Sequence, residues 1–361
     1  MHTIASAFDP KHNSLNAIRL ALAVLVIVSH SWPIGGYGRD PGYGDQHLGE
    51  WAVAGFFAIS GYLITSSRLS ANSIWDYLWR RFLRVYPAFI VAFIVVGFVI
   101  APIWAMIAGQ NDYSWGSAFG YVINNSAVSI QQWGIAGKLS DAPHATSWNG
   151  SAWTLFYEVL CYLGVGVLVS VAPARYLKIA LIAAMTLCFA VTIAVHNVGI
   201  DLPTTVEVAA RLGGFFVAGA ILFLYREQIS LNWAGAGIAL AILIGGVLGH
   251  EFQALAGLPI AYLMIFLGTR LPLQHIGKKN DVSYGMYIYA FPVQQLLAEI
   301  FPDQQLPLVI FVLFSIALTT PFAVASWFLI EKPLHRYRGL LSRSQDSRPA
   351  SAPEPVRLPT D

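Results

Sequence analysis

Charged residues are scarce in this chain. Asp, Glu, Lys and Arg together make up 11% of its 361 residues, whereas hydrophobic residues make up 56%. A soluble domain usually carries about 25% charged residues. So little charge cannot cover a water-facing surface, which argues against a soluble protein and favours one that crosses a membrane several times.

Cysteine and metal-binding patterns are scarce as well. The two cysteines, Cys161 and Cys188, both lie in apolar runs, which excludes a disulfide framework and a CxxC motif. We interpret them as small buried hydrophobic residues. The histidines show no ligand spacing, and no nucleic-acid-binding pattern is present, so we expect neither a metal site nor a nucleic-acid partner.

Long apolar runs are abundant, and they predict an all-α, polytopic transmembrane bundle of about ten helices. A spanning helix needs roughly 20 mostly apolar residues. The candidate segments are 15–33, 50–68, 84–108, 152–171, 175–196, 205–225, 231–249, 253–270, 282–301 and 306–330. The first lacks a small-x-small cleavage site, so we interpret it as a retained helix. Segment 117–133 is only half apolar, and we interpret it as an interfacial or re-entrant piece.

Basic residues are distributed unevenly between the loops. With ten spans both termini lie on one side, and most Lys and Arg residues fall on that side, whereas the other side holds Arg39 and Lys138 and most loop acids. The positive-inside rule therefore predicts cytoplasmic termini. An eleventh span at 117–133 would invert every later loop and abolish this uneven distribution of basic residues. Residues 1–338 are predicted to form the membrane domain, and the Ser/Pro/Arg-rich residues 339–361 a disordered cytoplasmic tail.

The first apolar segment contains two polar residues, Arg19 and His30, that are eleven positions apart. Eleven residues are just over three helical turns, so both side chains fall on one face, roughly 16 Å apart along the axis. Each has an ordinary explanation: Arg19 could snorkel to lipid headgroups, and His30 could be an interfacial histidine. Their common face favours instead an internal path with a cation at one end and a titratable base at the other.

The stretch RRFLRVYP, residues 80–87, brings three arginines to the predicted start of the third span. Arg81 and Arg84 are three residues apart and so share a face. Paired guanidinium groups suit phosphate. The alternative is contact with lipid headgroups. Pro87 is expected in the first helical turn, where proline is tolerated.

Acidic residues inside the predicted spans are rare. Glu158 is the only one well inside the fourth span, and such residues usually face the bundle interior. It is interpreted either as a functional residue or as a polar lock between helices. Glu207 and Arg211 are four residues apart on the sixth span, which favours a structural ion pair.

Taken together, several segments resemble the integral membrane acyltransferase-3 family. In family order they are Arg19-x10-His30, FFAISGYLI at 56–64, Arg81-x-x-Arg84 with Tyr86-Pro87, SAWTLFYEVLCYL at 151–163, VSYGMYIYAFPV at 282–293 and IEKPLHRYR at 330–338. The chain departs from many members at Ala290, where they have histidine. The resemblance also includes members with a fused esterase-like domain, which we do not expect here.

The resemblance implies a membrane O-acyltransferase of the bacterial inner membrane. It would move an acyl group, most often acetyl, from cytoplasmic acyl-CoA to a hydroxyl of a cell-surface glycan or related acceptor. Arg19, Arg81 and Arg84 are then expected to hold the donor. His30 would act as general base or as acyl-carrying nucleophile, and Glu158 would orient His30 or bind the acceptor. The alternative is a transporter or flippase that uses the same polar residues without acyl transfer.

Overall fold

A computed structural model describes residues 2–43, 46–110, 113–136, 139, 142–144 and 147–340. Helices make up 72% of the structure, which confirms the all-α prediction. Strands in the described residues are limited to the antiparallel pair β1 (Gly42–Tyr43) and β2 (Gln46–His47). The predicted tail lies outside the described residues from position 341 onward.

The described residues contain fifteen α-helices. They are α1 (Ile4–Ala7), α2 (Leu15–Ile34), α3 (Leu48–Leu69), α4 (Ile74–Val95), α5 (Ala101–Ile107), α6 (Trp115–Asn125), α7 (Thr154–Val171), α8 (Ala174–His196), α9 (Thr204–Leu224), α10 (Trp233–Leu248), α11 (Phe252–Leu255), α12 (Gly257–Arg270), α13 (Ser283–Ile300), α14 (Leu308–Ser326) and α15 (Lys332–Leu334). Single π-helical turns occupy Val96–Ile100 and Trp327–Glu331, and a 3₁₀ turn occupies His335–Tyr337.

Seven helical stretches in the described residues are long and apolar enough to cross a membrane. They are Leu15–Ile34, Leu48–Leu69, Ile74–Ile107, Thr154–Val171, Ala174–His196, Thr204–Leu224 and Leu308–Tyr337. The chain is therefore a multi-pass membrane protein. Helices occupy all ten predicted segments, but α10 and α12 are shorter, at 16 and 14 residues, and α13 is not among the seven. Ten spans and cytoplasmic termini stay predictions.

The third span begins earlier than the sequence predicts, at Ile74 instead of residue 84. Ser73 caps it, since its side chain accepts a hydrogen bond from the Asp76 amide at 3.1 Å. Arg81 and Arg84 therefore lie within the helix, and the expectation that Pro87 occupies a first turn is wrong. At 1.5 Å per residue, the continuous stretch Ile74–Ile107 is about 51 Å long, more than a hydrocarbon core of about 30 Å.

Helix α13 lies at the centre of the bundle. Nearly all its side chains are buried, and Gln294 and Gln295 are fully buried. Gln294 donates hydrogen bonds to the Ile27 carbonyl and to Ser31 Oγ, both at 2.9 Å. A helix surrounded by protein can carry such polar groups because neighbouring helices supply partners that lipid cannot. This explains why α13 is less apolar than the lipid-facing spans.

Helix α6 begins at Trp115 and has 11 residues, which corresponds to about 16 Å. It is too short to span a hydrocarbon core of about 30 Å. Its exposed side chains include Trp115, Phe119 and Ile123, one turn apart on a single face. This geometry agrees with the interpretation of 117–133 as a segment that does not cross the membrane.

Candidate active site

Three cavities in the described part of the chain lie in a row along α2. The Arg19 cavity has a volume of about 40 Å³ and includes Glu158 in its wall. The middle cavity, of about 160 Å³, is lined by Val26 and His30 of α2. The open cavity, of about 580 Å³, is lined by His30 and Pro33. Successive cavities therefore follow one face of α2, and the predicted common face of Arg19 and His30 is present.

Neighbouring cavities share parts of their walls. Val53, Thr154 and Tyr287 line both the Arg19 cavity and the middle cavity. His30, together with Gly150 and Trp153, lines both the middle and the open cavity. The row therefore leads from Arg19 near the start of α2 to His30 near its end.

His30 stands at the junction of the middle and open cavities. Its Nδ1 is buried and has no hydrogen-bond partner among the described residues, and the residue lines both cavities. The ring packs edge-on against Phe291, with centroids 5.1 Å apart, and His144 packs against the same ring at 5.6 Å. An imidazole held by an aromatic ring can accept a proton or attack a carbonyl carbon.

The arginines expected to hold a donor belong to a buried ion-pair network. Arg19 and Arg84 contact the same Asp281 oxygen at 3.1 and 2.8 Å, and Arg84 also contacts Glu331 at 3.2 Å. Arg81 differs, because its Nε is buried and has no hydrogen-bond partner in the described residues. The structure therefore brings Arg19 and Arg84 together and leaves hydrogen-bonding capacity on Arg81.

Asp281 is the residue of this network that sequence reasoning missed. It precedes α13, and its carboxylate also accepts a hydrogen bond from Ser283 Oγ at 2.6 Å. Burial acts to raise the pKa of Asp281, but Arg19 and Arg84 outweigh it and hold that pKa well below its ordinary value. Its position two residues before the Ser-Tyr of the VSYGMY segment was the available signal.

Arg338 extends the basic cluster beyond the end of the last span. Burial, together with the neighbouring Arg84 and Arg81, lowers the pKa of Arg338 to about 10. Like-charge proximity of this kind disfavours the protonated form unless an anion is supplied. The segment IEKPLHRYR thus contributes Glu331 and Arg338 to the same region.

Glu158 lies in the Arg19 cavity, a different cavity from those that His30 lines. Its Oε1 accepts hydrogen bonds from Ser60 Oγ at 3.0 Å and from Tyr162 Oη at 2.5 Å. These two hydroxyls fix the carboxylate beside Arg19. The structure therefore places Glu158 with the arginine end of the row and not beside the imidazole.

The middle cavity contains an ion pair that differs from the predicted one. Arg211 Nη1 contacts Glu50 Oε1 at 2.8 Å, so the prediction of a Glu207–Arg211 pair is wrong. Glu50 lies in the first turn of α3, where its other oxygen accepts the His47 amide at 3.3 Å. Because α9 packs against α3, the Glu50 carboxylate meets Arg211, although Glu207 lies only one turn from Arg211 on α9.

Asp40 is a second acidic residue in the wall of the middle cavity that sequence reasoning missed. It belongs to the glycine-rich segment between α2 and β1. Its Oδ2 accepts a hydrogen bond from Ser29, the residue before His30, while Oδ1 is buried without a partner in the described residues. No group of three or more His, Cys, Asp and Glu side chains in those residues could hold a metal ion.

The segment before α7 closes the wall between the cavities. Asn149 Nδ2 donates to the Ile288 carbonyl at 2.9 Å, and Tyr287 Oη donates to the Ser151 carbonyl at 2.8 Å. Gly150 lies against Phe291, and a side-chain carbon at Gly150 would overlap that ring. The segment SWNGSAWT therefore fits closely against α13 and needs glycine at this position.

His144 and Trp133 line the outer part of the row, in the open cavity. Burial lowers the pKa of His144, because desolvation disfavours the imidazolium. Its backbone carbonyl accepts from the fully buried Gln295 at 2.8 Å.

Comparisons with known proteins agree with this arrangement. The family model described as an acyltransferase domain (acyltransferase 3) matches residues 12–328. An O-acetyl transferase of Shigella phage Sf6 is 29% identical over 298 residues, 80% of this chain and 86% of that protein. Nodulation protein 10 of Rhizobium leguminosarum bv. viciae is 24% identical over 359 residues, 90% of this chain and 94% of that protein.

A shorter match is also to a protein named as an acyltransferase. Acyltransferase MdmB of Streptomyces mycarofaciens is 27% identical over 116 residues, 32% of this chain and 27% of that protein. No solved structure matches. The family model covers every segment between Arg19 and Pro292 that builds the row of cavities. The chain therefore belongs to the acyltransferase-3 family and is a membrane acyltransferase.

Proposed function

We propose that the protein transfers an acyl group, acetyl in the first instance, from acyl-CoA to a hydroxyl of a cell-surface glycan or related acceptor. One observation carries this proposal: the cavities form a row that joins Arg19, a member of the arginine cluster, to His30, whose Nδ1 has no hydrogen-bond partner in the described residues. Arginines suit the phosphates of the donor, and an imidazole suits proton transfer at a hydroxyl.

The donor is expected at the arginine end of the row. Arg81 offers a guanidinium nitrogen that has no hydrogen-bond partner in the described residues, and it adds positive charge beside the ion pairs of Arg19 and Arg84 with Asp281 and Glu331. Glu158 can accept a hydrogen bond from an amide of the pantetheine arm, since Ser60 and Tyr162 both bind Oε1 and the described residues supply no hydrogen bond to Oε2. The thioester end then points along α2 towards the middle cavity.

The acyl transfer is proposed to occur at His30. The imidazole takes the proton of the acceptor hydroxyl, the hydroxyl oxygen bonds to the thioester carbon, and the carbon–sulfur bond breaks. The proton on His30 then passes to the CoA thiolate, so that CoA leaves as the thiol. In a second form, an imidazole nitrogen of His30 bonds to the thioester carbon, the carbon–sulfur bond breaks and the imidazole proton leaves with CoA as the thiol. The acceptor oxygen then takes the acyl group and its proton returns to the imidazole.

The acceptor is expected in the middle and open cavities. Trp133 and Trp153 supply aromatic surface, and the Glu50–Arg211 pair supplies polar contacts suited to hydroxyls. The name of the phage relative, O-acetyl transferase, supports acetyl transfer to an oxygen atom. An acceptor at the bacterial surface and a location in the bacterial inner membrane are part of this proposal.

Substitution of His30 tests this proposal. Surface glycans of bacterial cells expressing the wild-type protein are compared by mass spectrometry with those of cells expressing His30→Ala. We expect the acetyl mass increment to disappear in His30→Ala, with a rate loss of roughly 10²-fold or more for a missing acid–base group. His196→Ala is the control, since His196 is exposed at the end of α8.

The control should retain acetylation, and all three proteins should be present in the membrane in equal amounts. Undiminished acetylation in His30→Ala would exclude His30 as the reacting residue. An acetyl increment absent from the wild-type cells as well would count against the acceptor class.

A further inference from the structure

We propose that the middle cavity binds an uncharged sugar residue of the acceptor, and that Asp40, Arg211 and Gln253 recognise its hydroxyls. This inference rests on the proposed function, in which a hydroxyl acceptor reacts at His30. The side chains of Asp40, Arg211 and Gln253 line the middle cavity together with His30.

Each of the three recognition residues carries a buried polar atom that has no hydrogen-bond partner in the described residues. The atoms are Asp40 Oδ1, Arg211 Nε and Gln253 Oε1. Buried polar side-chain atoms are usually paired, because an unpaired one destabilises the fold. The three residues belong to separate segments, before β1, on α9 and on α11, which meet at this one cavity. A ligand with hydrogen-bonding groups would supply the missing partners.

Other atoms of the same side chains are already held by protein. Asp40 Oδ2 accepts a hydrogen bond from Ser29 Oγ, and Gln253 Nε2 donates to Gln46 Oε1 at 3.1 Å. The ion pair with α3 holds Arg211 through its Nη1. Side chains that are fixed in advance lose less conformational entropy when a ligand binds. The arrangement is therefore suited to binding.

The hydrogen-bonding character of the three atoms indicates a ligand with several hydroxyls. Asp40 and Gln253 offer acceptors, whereas Arg211 offers a donor. A hydroxyl can donate one hydrogen bond and accept others, so a sugar can satisfy both kinds of group. Ligand pockets typically combine a few polar groups of this kind with a largely apolar and aromatic wall. The aromatic residues of this wall are Trp153, Phe215, Phe252 and Tyr287.

The charges in the wall argue against an acidic sugar. Asp40 and Glu50 are acids, and among the described residues Arg211 is the only Lys or Arg side chain that lines the cavity. Arg211 already contacts Glu50 at 2.8 Å, so an anionic sugar would meet the negative charge of Asp40 without a free cation. Juxtaposed like charges disfavour binding. The cavity therefore favours an uncharged sugar.

Two substitutions each remove one acceptor atom. In Asp40→Asn the amide oxygen can keep the hydrogen bond from Ser29, while an NH₂ group replaces the unpaired oxygen and the negative charge is lost. Gln253→Met keeps an unbranched side chain and removes the amide. The matched controls are Asp201→Asn and Gln228→Met, at exposed positions before and after α9.

The experiment measures acetyl transfer from acetyl-CoA by the full-length protein in nanodiscs. The acceptors are the methyl glycosides of glucose, galactose and mannose, each paired with its uronic acid, and mass spectrometry of the products gives kcat and KM. For the wild type and both controls we expect kcat/KM to be roughly tenfold or more higher for the uncharged member of an accepted pair. In Asp40→Asn this ratio should fall to about threefold or less.

The KM for the uncharged glycoside should rise roughly tenfold in Asp40→Asn and severalfold in Gln253→Met, since each variant loses a hydrogen bond to the sugar. The Kd for acetyl-CoA, measured by calorimetry, should stay at the wild-type value in both. A variant that also loses acetyl-CoA binding or its size-exclusion peak is not folded, and the other variant then decides.

Equal or higher kcat/KM for the uronic acids in the wild type would overturn the uncharged class. A wild-type KM in both Asp40→Asn and Gln253→Met would overturn these residues as the sugar site. Acetylation of none of the glycosides by a protein that binds acetyl-CoA would overturn the sugar site and leave the donor assignment intact. A wild-type protein that does not bind acetyl-CoA would instead overturn the donor in the proposed function.

Discussion

At the scale of single residues, the arginine cluster contains two kinds of side chain: some stabilise the fold through ion pairs, and others can contact a ligand. Arg84 is bound by two carboxylates, Asp281 and Glu331, and is 13% exposed. Substitution of Arg84 would leave both acids without their common partner. Such a variant would lose stability, so its ligand binding would not test a direct contact with the donor. Arg81 gives a cleaner test, because its buried Nε has no hydrogen-bond partner in the described part of the chain.

Arg81→Ala should weaken binding of acetyl-CoA while the protein still folds. A hydrogen bond to a charged group contributes about 1.5–3 kcal/mol, so we expect the Kd to rise roughly 10- to 100-fold. Calorimetry on the purified protein measures this, with Arg175→Ala as control. Arg175 lies at the start of α8 and stacks on Tyr176, at 4.6 Å from the ring centroid. Equal affinities of Arg81→Ala and wild type would exclude Arg81 from the donor site.

Asp281 gives a prediction about pH. Because its pKa is lower in the folded protein than its ordinary value of 3.8, its stabilising effect is present above that value. The effect is lost as the pH falls towards the folded pKa. Asp281→Asn leaves a buried ion pair incomplete, which costs about 3–5 kcal/mol at neutral pH.

Thermal unfolding in detergent measures this effect. The Tm of Asp281→Asn should be well below that of wild type near pH 7, and the difference should narrow at about pH 3. Asp201→Asn, at an exposed position before α9, is the control and should change little at either pH. A Tm difference that stays constant over this range would show that Asp281 is not stabilised as the carboxylate.

At the scale of helices, the tightest packing lies between α3 and α9. A side-chain carbon added at Gly61 would overlap the Phe216 carbonyl oxygen, and one added at Gly219 would overlap the Ala58 carbonyl oxygen. Glycine permits such close backbone approach between membrane helices. The same contact positions Glu50 on α3 and Arg211 on α9 to form their ion pair.

Gly61→Ala should separate these helices and destabilise the protein. Overpacking costs typically about 1–3 kcal/mol, and backbone on the opposite side cannot move as easily as a side chain. Gly164→Ala on α7 is the matched control, since a side-chain carbon there meets no atom within 4 Å. Thermal unfolding should show a lower Tm for Gly61→Ala only. Equal Tm values for both variants would contradict the close α3–α9 contact.

At the scale of the whole molecule, the predicted orientation can be tested directly. Ten spans place both termini in the cytoplasm, and the connection between α8 and α9, after five spans, on the opposite side. A fluorescent protein fused at the C-terminus should therefore be fluorescent. Alkaline phosphatase inserted at the exposed Gly199 should be active. A non-fluorescent C-terminal fusion, or an inactive phosphatase at Gly199, would exclude the ten-span topology with cytoplasmic termini.

The sequence alone determined which segments are helical and which polar residues lie inside them. Periodicity within a helix depends only on local spacing, so Arg19 and His30 were placed on one face of α2, and the row of cavities follows that face. The family could also be inferred from short motifs in order, and residues 12–328 match its model.

Only the tertiary structure decided which groups meet across helices. Glu50, and not Glu207, pairs with Arg211; Asp281 joins Arg19 to Arg84; and Glu158 contacts Ser60 and Tyr162 in a cavity that His30 does not line. These partners lie 98 or more residues apart in most cases. Helical periodicity fixes the face on which a side chain lies, whereas packing of distant helices selects the partner that it meets.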